Sequence, residues 1–290
     1  MTNAKPSRIL LSTDLSPRCD RAQDRAAQLA TEWSAELVAL NVLDPAASFD
    51  QAMAWLSGAG DEALIEVARH ELARDLGDVT VPWQVRVVRH PDTAQAICEQ
   101  ARSVQAGLVV AAVSRNETLG RLLLGSTIEQ VARALTVPLL VVRRRVRGSY
   151  RRVLVATDFS ASSRLAWQAA VRLFPQADLT IYHAHASSSG PFLEAKASLE
   201  KEAEAFVADS LPPGGALPRI VVEPGPIETA LARYVRANDI DLVVIGSHGH
   251  SGIMSLLLGR TASKLLDWLP CDTLLAPEPR ARGEGAASQA

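Results

Sequence analysis

Short apolar runs rich in valine, isoleucine and leucine alternate along the chain with longer amphipathic segments. In the second half, the apolar runs predict strands near 152–157, 178–184, 219–223, 241–246 and 273–276. The segments between them carry apolar residues on one helical face and predict helices near 161–174, 192–209, 227–237 and 260–268. This alternation predicts an α/β fold, in which a parallel sheet is covered by helices on both faces.

The two halves of the chain repeat each other. The matching pairs of segments are 8–16 with 152–160, 37–42 with 179–184, 108–112 with 242–246, and 122–125 with 256–259. A repeat of about 145 residues is too long for a solenoid unit and has the length of one domain.

We therefore predict two tandem doubly wound domains, each with a five-stranded parallel sheet flanked by helices. The first covers residues 1–146 and the second covers residues 147–276. Residues 277–290 are rich in Pro, Gly, Ala and Ser, which predicts a disordered tail.

Composition narrows the class of protein. The chain has 290 residues, 48% hydrophobic content and a formal net charge of −2, which favours neither nucleic acid nor an anionic membrane as a partner. No apolar stretch approaches the roughly 20 residues needed to span a bilayer, and the N-terminus lacks the apolar core of a signal peptide. Cys19, Cys98 and Cys271 are far apart and predict neither a disulfide framework nor a thiolate zinc site. These features favour a cytoplasmic location.

The junction between the two halves is rich in arginine. Its six arginines surround the segment 148–150 and are Arg143, Arg144, Arg145, Arg147, Arg151 and Arg152. Charge runs of this kind are usually solvated, so we predict a solvated tether. A contact with an anion or with nucleic acid is the alternative.

A glycine-rich segment follows the apolar run 241–245. Gly246 and Gly249 stand where the strand is predicted to end, and nine residues separate Gly249 from Gly259, which precedes a predicted helix. Glycine lets a ligand approach the main chain closely, and the unpaired N–H groups of a helix start favour an anion. The segment therefore predicts a phosphate site and hence a nucleotide. No lysine follows a glycine, and neither first strand leads into G-x-G-x-x-G, so a P-loop and a dinucleotide-binding Rossmann domain are disfavoured.

Three features together carry a resemblance to a known family. They are the run Val-Leu-Val-Ala-Thr-Asp at 153–158, the segment 245–259 with its G-x2-G-x9-G spacing, and the duplication. With them the chain resembles the universal stress protein family in its tandem two-domain form. The resemblance covers nearly the whole chain apart from the junction and the tail. It implies the fold that this family shares with the adenine nucleotide alpha hydrolases, and a role in the stress response.

The resemblance also implies a ligand site in the second half. In ATP-binding members of the family, the aspartate that ends the first strand and the end of the second strand hold adenine. The glycine loop and the next helix start hold the ribose and phosphates. Carried over by position, the adenine side is formed by Ala156, Asp158 and Ala184. The ribose and phosphate side is formed by Ile245, Gly246, Gly249, His250, Gly259, Arg260 and Thr261. The implied cofactor is ATP, alone or with Mg²⁺.

The chain departs from the family pattern at several of these positions. ATP-binding relatives usually carry Ser or Thr directly after the last glycine and a second hydroxyl three places after it, where this chain has Arg260 and Ala262. The guanidinium could pair bidentately with a phosphate or could fill the pocket, and both alternatives stay open. In the first half, Ala112 and Arg115 replace the first two glycines, which predicts a weak or empty first site. Asp14 is then expected to order its own turn.

Four histidines offer another chemistry. His183 and His185 are predicted near the end of a strand, and His248 and His250 lie in the glycine loop. Imidazoles suit zinc or copper, but no cysteine or carboxylate partner is apparent. We therefore favour polar loop roles, or a phosphate contact by His250, over a metal site. No nucleophile–base–orienter set is visible, so no catalytic residue is predicted.

The leading prediction is a cytoplasmic stress-response or signalling protein that binds ATP or another adenine nucleotide in its second domain. The alternative is a nucleotide-free dimerisation or interaction module with a protein partner, and a weaker alternative is a slow ATPase. The fifth strands, near 138–142 and 273–276, are predicted at sheet edges, where the two copies could pair within one chain and imitate a dimer. A homodimer of such chains is also left open.

Overall fold

The computed structural model describes most of the chain. The described residues are 5–43, 61–77, 79–113, 116–118, 121–123, 126–186, 192–208, 211, 217–247 and 259–278. The predicted tail beyond residue 278, as well as Gly249 and His250 of the predicted phosphate loop, therefore lies outside the described residues. In the described part of the chain, no helix is both long enough and apolar enough to cross a membrane.

The first half alternates strands with helices, as the pattern predicts. Its elements are β1 (Arg8–Thr13), α1 (Asp20–Trp33), β2 (Glu36–Leu43), α2 (Asp61–Asp75), β3 (Trp83–Arg89), α3 (Thr93–Ser103), β4 (Leu108–Ala112), β5 (Asn116–Thr118), β6 (Arg121–Leu123), α4 (Ser126–Ala134) and β7 (Leu139–Val142). The short strands β5 and β6 pair only with each other, as an antiparallel hairpin.

The second half repeats the same order without a described counterpart of that hairpin. Its elements are β8 (Arg152–Ala156), α5 (Ala161–Leu173), β9 (Asp178–His185), α6 (Phe192–Ala208), β10 (Arg219–Pro224), α7 (Ile227–Ala237), β11 (Leu242–Gly246), α8 (Arg260–Trp268) and β12 (Asp272–Ala276). All nine predicted elements of this half are confirmed, with ends that differ by no more than one residue.

Ten strands form one continuous sheet in the order β10-β9-β8-β11-β12-β7-β4-β1-β2-β3. Within each half the five strands are parallel, and the first strand lies between the second and the fourth. Strand order therefore reverses between β8 and β11, which is the place where doubly wound sheets bind ligands. The predicted fold class is confirmed.

The two halves join through antiparallel pairing of their fifth strands, β7 and β12. Leu140 lies opposite Leu274, which follows it by 134 positions, and the same shift relates Gly125 to Gly259. Equivalent residues therefore face each other, as they do across the two-fold axis of a symmetric dimer. The predicted intramolecular pairing is confirmed, and it covers the edge that each half would expose alone.

The apolar core lies on both faces of the sheet and is continuous across the two halves. On one face, α1 and α5 pack through small residues such as Ala26 and Ala170, which let each helix lie close to its strands. Trp33 of the first half and Tyr150 of the junction both contact the ring of Phe174, with centroids 6.0 and 5.5 Å apart. Each of the two core clusters, one on either face of the sheet, thus contains residues of both halves.

The arginine-rich junction is built around the buried carboxylate of Asp272, the first residue of β12. Its Oδ1 accepts hydrogen bonds from the main-chain N–H groups of Arg143 and Arg144, at 2.7 and 2.9 Å. Its Oδ2 accepts the hydroxyl of Tyr150 at 2.6 Å and lies 3.6 Å from Nε of Arg25. The guanidinium of Arg25 also stacks over the Tyr150 ring, 4.0 Å from its centroid. A buried carboxylate requires such partners because desolvation of an unpaired charge is costly.

The prediction of a solvated tether is therefore wrong for the start of the junction. Arg143 is buried, and Arg144 donates from Nε to the carbonyl of Pro270 at 2.8 Å. The side chains of Arg145, Arg147, Arg151 and Arg152 are exposed, as predicted. The difference arises because Asp272, more than 100 positions away, supplies the acceptor that the local sequence does not show.

The same cluster breaks the symmetry between the halves. By the repeat, Arg25 corresponds to Ala169 and Asp272 corresponds to Pro138. If two first halves paired through this interface, they would bury two arginines without the aspartate. If two second halves paired, they would bury two aspartates without the arginine. The interface therefore favours pairing of unlike halves over pairing of like ones.

Gly246, at the end of β11, is required by helix packing. A Cβ at this position would lie 2.7 Å from the carbonyl carbon and 2.8 Å from the carbonyl oxygen of Ser162 in α5. The sequence associated this glycine with close approach of a ligand. The structure shows that its missing side chain makes room for the main chain of α5, and this explains the glycine without a ligand.

Replacement of Asp272 by alanine is expected to destabilise the protein strongly. It removes the buried counter-charge of Arg25, and it removes the acceptor of two main-chain N–H groups and of the Tyr150 hydroxyl. Breaking such a buried pair costs about 3–5 kcal/mol. The free energy of unfolding, measured by urea denaturation, checks this. Asp272→Asn keeps an acceptor oxygen and should lose less. Glu66→Ala removes a surface pair whose glutamate is 67% exposed and should change stability by less than about 1 kcal/mol. Equal losses of unfolding free energy in Asp272→Ala and Glu66→Ala would contradict the role of the Asp272 carboxylate at the junction.

Replacement of Gly246 by alanine is expected to lower stability by about 1–3 kcal/mol, because the added methyl overpacks against α5. Adding Ser162→Ala should restore little of this loss, since the carbonyl atoms that the methyl meets belong to the main chain. The matched control is Gly77→Ala, whose added Cβ meets nothing closer than 3.4 Å. Thermal denaturation of the variants distinguishes these cases. A Gly246→Ala variant as stable as Gly77→Ala would show that α5 does not need this space.

Candidate functional site

The turn that follows β8 carries the aspartate of the predicted adenine side. The hydroxyl of Thr157 accepts the N–H of Phe159 at 2.9 Å, and Oδ1 of Asp158 accepts the N–H of Ser160 at 3.1 Å. Phe159 has a φ of 62°, which is a costly conformation for a residue with a bulky side chain. Ser160 then caps α5 by accepting the N–H of Ser163 at 3.2 Å.

The first half contains the same turn. Thr13 accepts the N–H of Leu15 at 3.1 Å, Asp14 accepts the N–H of Ser16 at 2.9 Å, and Leu15 again has a φ of 62°. Burial raises the pKa of Asp14, but hydrogen bonds from Ser16 and from the thiol of Cys19 outweigh it, so the pKa lies below its usual value. Asp14 therefore orders its turn, as predicted. Asp158 does so as well, which means that this turn belongs to the fold in both halves.

The ring of His183, on β9, lies against this turn. It stacks on Phe159 with centroids 4.7 Å apart, and its Nδ1 lies 2.9 Å from the carbonyl oxygen of Thr157. Because a carbonyl oxygen can only accept, Nδ1 carries the hydrogen of this bond. In the first half, Asn41 occupies the equivalent position and donates to the carbonyl of Thr13 at 3.0 Å. The position therefore holds the ends of the first and second strands together in both halves.

Helix α8 begins at the predicted phosphate side. Gly259 precedes it without a side-chain cap, and its N–H donates to the carbonyl of Ser247 at 2.9 Å. This bond holds the end of β11 to the start of α8, so the N–H of Gly259 is already engaged. The amides of the next residues begin a helix, and first-turn amides have no partner within it. They are the main-chain donors that α8 offers to an anion.

Arg260 and Thr261 are the first two residues of α8, and both side chains are exposed. Within the described part of the chain, the guanidinium of Arg260 has no hydrogen bond or ion pair. Ala262, the next residue, is buried. The sequence left open whether Arg260 fills the pocket, and the structure places its side chain at the surface beside the cavity.

These elements enclose a cavity of about 490 Å³ at the carboxyl ends of β8, β9 and β11. Its lining includes the predicted residues Ala156, Asp158, Ala184, Ile245, Gly246, Gly259, Arg260 and Thr261. The cavity thus brings together residues that are about 100 positions apart in the sequence. Gly249 and His250 lie outside the described residues. Among the described lining residues, Asp158 carries negative charge and Arg260 carries positive charge, so the cavity has one acidic side and one basic side.

The cavity also includes residues that the sequence did not assign to the site. They are Thr157, Ser163, His183, Ile227, Ala262 and Leu265. Ile227 begins α7, whose approach to the site depends on packing that no local pattern shows. His183 could have been found from its equivalence to Asn41, since a polar residue in a buried apolar run is unusual.

Other groups in the described residues carry less chemistry. His183 and His185 lie 6.4 Å apart by ring centroids, and no cluster of three metal-ligating side chains is found in the part of the chain that is described. In the first half, β4 ends at Ala112, while Arg115 and Gly125 lie outside the described residues. A cavity of about 730 Å³ lies at the amino ends of β8, β9 and β10, beside Arg152, Asp178 and Arg219.

Comparison with known proteins agrees with this architecture. The model of the universal stress protein family matches the chain twice, over residues 6–143 and 149–277. A universal stress protein of Mycolicibacterium smegmatis is 26% identical over 284 residues, which cover 89% of this chain and 92% of that protein. Another, from Synechocystis, is 29% identical over 143 residues, or 49% of this chain and about half (48%) of that protein.

Solved structures show the same fold. A putative universal stress protein of Pseudomonas aeruginosa superimposes with a TM-score of 0.67 at 20% identity, covering 94% of this chain and 93% of that one. A universal stress protein solved in complex with cAMP is 24% identical over 48% of this chain, with a TM-score of 0.37. Two consecutive matches to one family model, over nearly the whole length, establish that this chain belongs to the universal stress protein family and carries two tandem domains of it.

Proposed function

We propose that the second domain binds an adenine nucleotide, with ATP as the ligand, and that the protein acts in a cytoplasmic stress response or in signalling. The observation that carries the proposal is the cavity at the carboxyl ends of β8, β9 and β11. It lies at the switch point of the sheet and joins the acidic first-strand turn to the start of α8. Its volume of about 490 Å³ lies within the range of small-molecule sites, which is about 300–1,000 Å³.

The end of β9 supports the adenine side of the proposal. The pairing of β8 with β9 ends at Ala156 and Tyr182, and the carbonyl of Tyr182 accepts one further N–H, that of Thr157, at 2.9 Å. Along a strand, alternate residues direct their main-chain groups to the same neighbour. The main-chain N–H and C=O of Ala184 therefore point toward β8, at a level past the last bond between the two strands. There they can donate to and accept from the edge of a base. Asp158 can accept from the exocyclic amino group of adenine.

The start of α8 supports the phosphate side. The amides of Arg260 and Thr261 lie at the positive end of the helix dipole, and the guanidinium of Arg260 is exposed beside them. Guanidinium groups bind phosphate bidentately, so Arg260 takes the place of the hydroxyl that ATP-binding relatives usually carry. Gly246, Gly249, His250, Gly259 and Ile245 complete the proposed ribose and phosphate side. Mg²⁺ would be held at this site by the phosphates of the nucleotide.

A second candidate is a nucleotide-free interaction module with a protein partner. It is favoured by the absence of a hydroxyl at Arg260 and Ala262 and by the pairing of β7 with β12, which already forms a dimer-like unit. A slow ATPase is weaker, because the sequence offers no nucleophile–base–orienter set and no evident activator of water. Analysis of ligands released from protein purified without added nucleotide separates the first two candidates. A bound adenine nucleotide favours the first, and calorimetry with Mg-ATP at millimolar concentration that shows no heat rejects it.

Arg260→Ala tests whether the guanidinium contacts a phosphate. We expect the variant to lose about tenfold in affinity for ATP, since one charge-assisted hydrogen-bonded contact is removed, and to keep its affinity for adenosine. Calorimetry with both ligands checks this. Arg219→Ala, which removes another exposed arginine at the opposite end of the sheet, is the matched control and should bind both ligands normally. Tighter ATP binding by Arg260→Ala would instead show that the guanidinium obstructs the site.

A further inference from the structure

Helices α4 and α8 face each other across the pseudo-two-fold axis that relates the two domains. The hydroxyl of Ser263 in α8 donates to Oε1 of Glu129 in α4 at 2.6 Å. Ser263 follows Glu129 by 134 positions, the shift that also relates Leu140 to Leu274. The contact therefore joins equivalent positions of the two domains, like the central contact of a symmetric dimer.

The same first two turns of α8 also form one wall of the cavity. Gly259, Arg260, Thr261, Ala262 and Leu265 line it, and Ser263 lies within this run. The next residue, Lys264, pairs with Glu228 of α7 at 3.0 Å. The start of α8 is thus held by two carboxylates, one from its own domain and one from the other. A shift of the start of α8 as a whole would disturb both contacts.

The contact between Glu129 and Ser263 joins unlike side chains at equivalent positions. Glu129 accepts from Ser263 and lies 3.6 Å from the guanidinium of Arg133 in its own helix. Two glutamates or two serines at these positions could not form the same charge-assisted bond. The first domain, whose own glycine loop is degenerate, has thus kept a carboxylate that reaches the helix start of the second. The first domain also contacts α8 at a second place, because the backbone of β6, which follows β4, lies beside this helix.

We propose that Glu129 of the first domain is a positioning residue for the ligand site of the second domain. This inference rests on the proposed binding of adenine nucleotide there. A nucleotide that orders the start of α8 strengthens the Ser263–Glu129 bond and thereby orders α4. By linkage, a partner or modification that orders α4 tightens nucleotide binding to the same degree. The first domain thus reports the occupancy of the second.

The test uses the full chain and two measurements, calorimetry with ATP and amide hydrogen exchange with and without ATP. In the unaltered protein, we expect ATP to slow exchange in α4 and to leave α3 unchanged. Glu129→Ala is expected to weaken ATP binding about fivefold, the lower range of coupling between sites, and to abolish the ATP effect on α4. Glu129→Gln keeps an acceptor oxygen and should retain most of the affinity for ATP and most of the ATP effect on α4. Ser263→Ala removes the donor and should reproduce Glu129→Ala.

Two comparisons separate positioning from general destabilisation. Glu228→Ala removes the other carboxylate that holds α8, so it should weaken binding but leave the ATP effect on α4 in place. Glu99→Ala, on the exposed side of α3, should change neither measurement. If ATP binds and α4 exchanges equally with and without it, or if Glu129→Ala behaves as the unaltered protein, the inference is overturned and the proposed function stands. If the unaltered protein binds no adenine nucleotide, both are overturned.

Discussion

The antiparallel pairing of β7 with β12 is the constraint on which the rest of the structure depends. Each domain ends its sheet with a short apolar strand, and a bare edge of that kind invites pairing with another chain. Here the two edges cover each other and produce one ten-stranded sheet. The pairing brings Asp272 to the junction and places α4 beside α8. It therefore determines both how the domains are joined and what lies next to the cavity at the carboxyl ends of β8, β9 and β11.

Divergence of the two copies makes this pairing specific. A symmetric interface would accept any two domains of the family, but Arg25, Asp272 and Glu129 each have an unlike counterpart in the other copy. The buried carboxylate is satisfied only when a first domain meets a second. The two copies thus have the geometry of a dimer, and the residues that differ between them direct this geometry to the two halves of one chain.

Several motif residues at the cavity also have roles in the fold itself. The Thr-Asp turn with its positive φ is present in both domains, although only the second keeps the glycine spacing. Gly246 accommodates α5, and the N–H of Gly259 donates to the carbonyl of Ser247. These motif residues therefore have structural roles that explain them without a ligand. The features that point to a nucleotide are the cavity itself, the main chain of Ala184 beyond the last pair of β8, and the exposed cation at the start of α8.

The sequence by itself determined the α/β class, the duplication and, to within one residue, the ends of every element predicted in the second domain. Hydrophobic period and β-branched runs are local signals, and the helices and strands follow them. The resemblance to the universal stress protein family named most of the described cavity residues in advance, and they meet because the carboxyl ends of parallel strands lie at one edge. The tertiary structure alone decided the roles of Arg143, Asp272, Gly246 and Glu129. Each of these depends on a partner far along the chain or on a neighbouring helix, and a polar or small residue carries no local mark of the partner that will satisfy it.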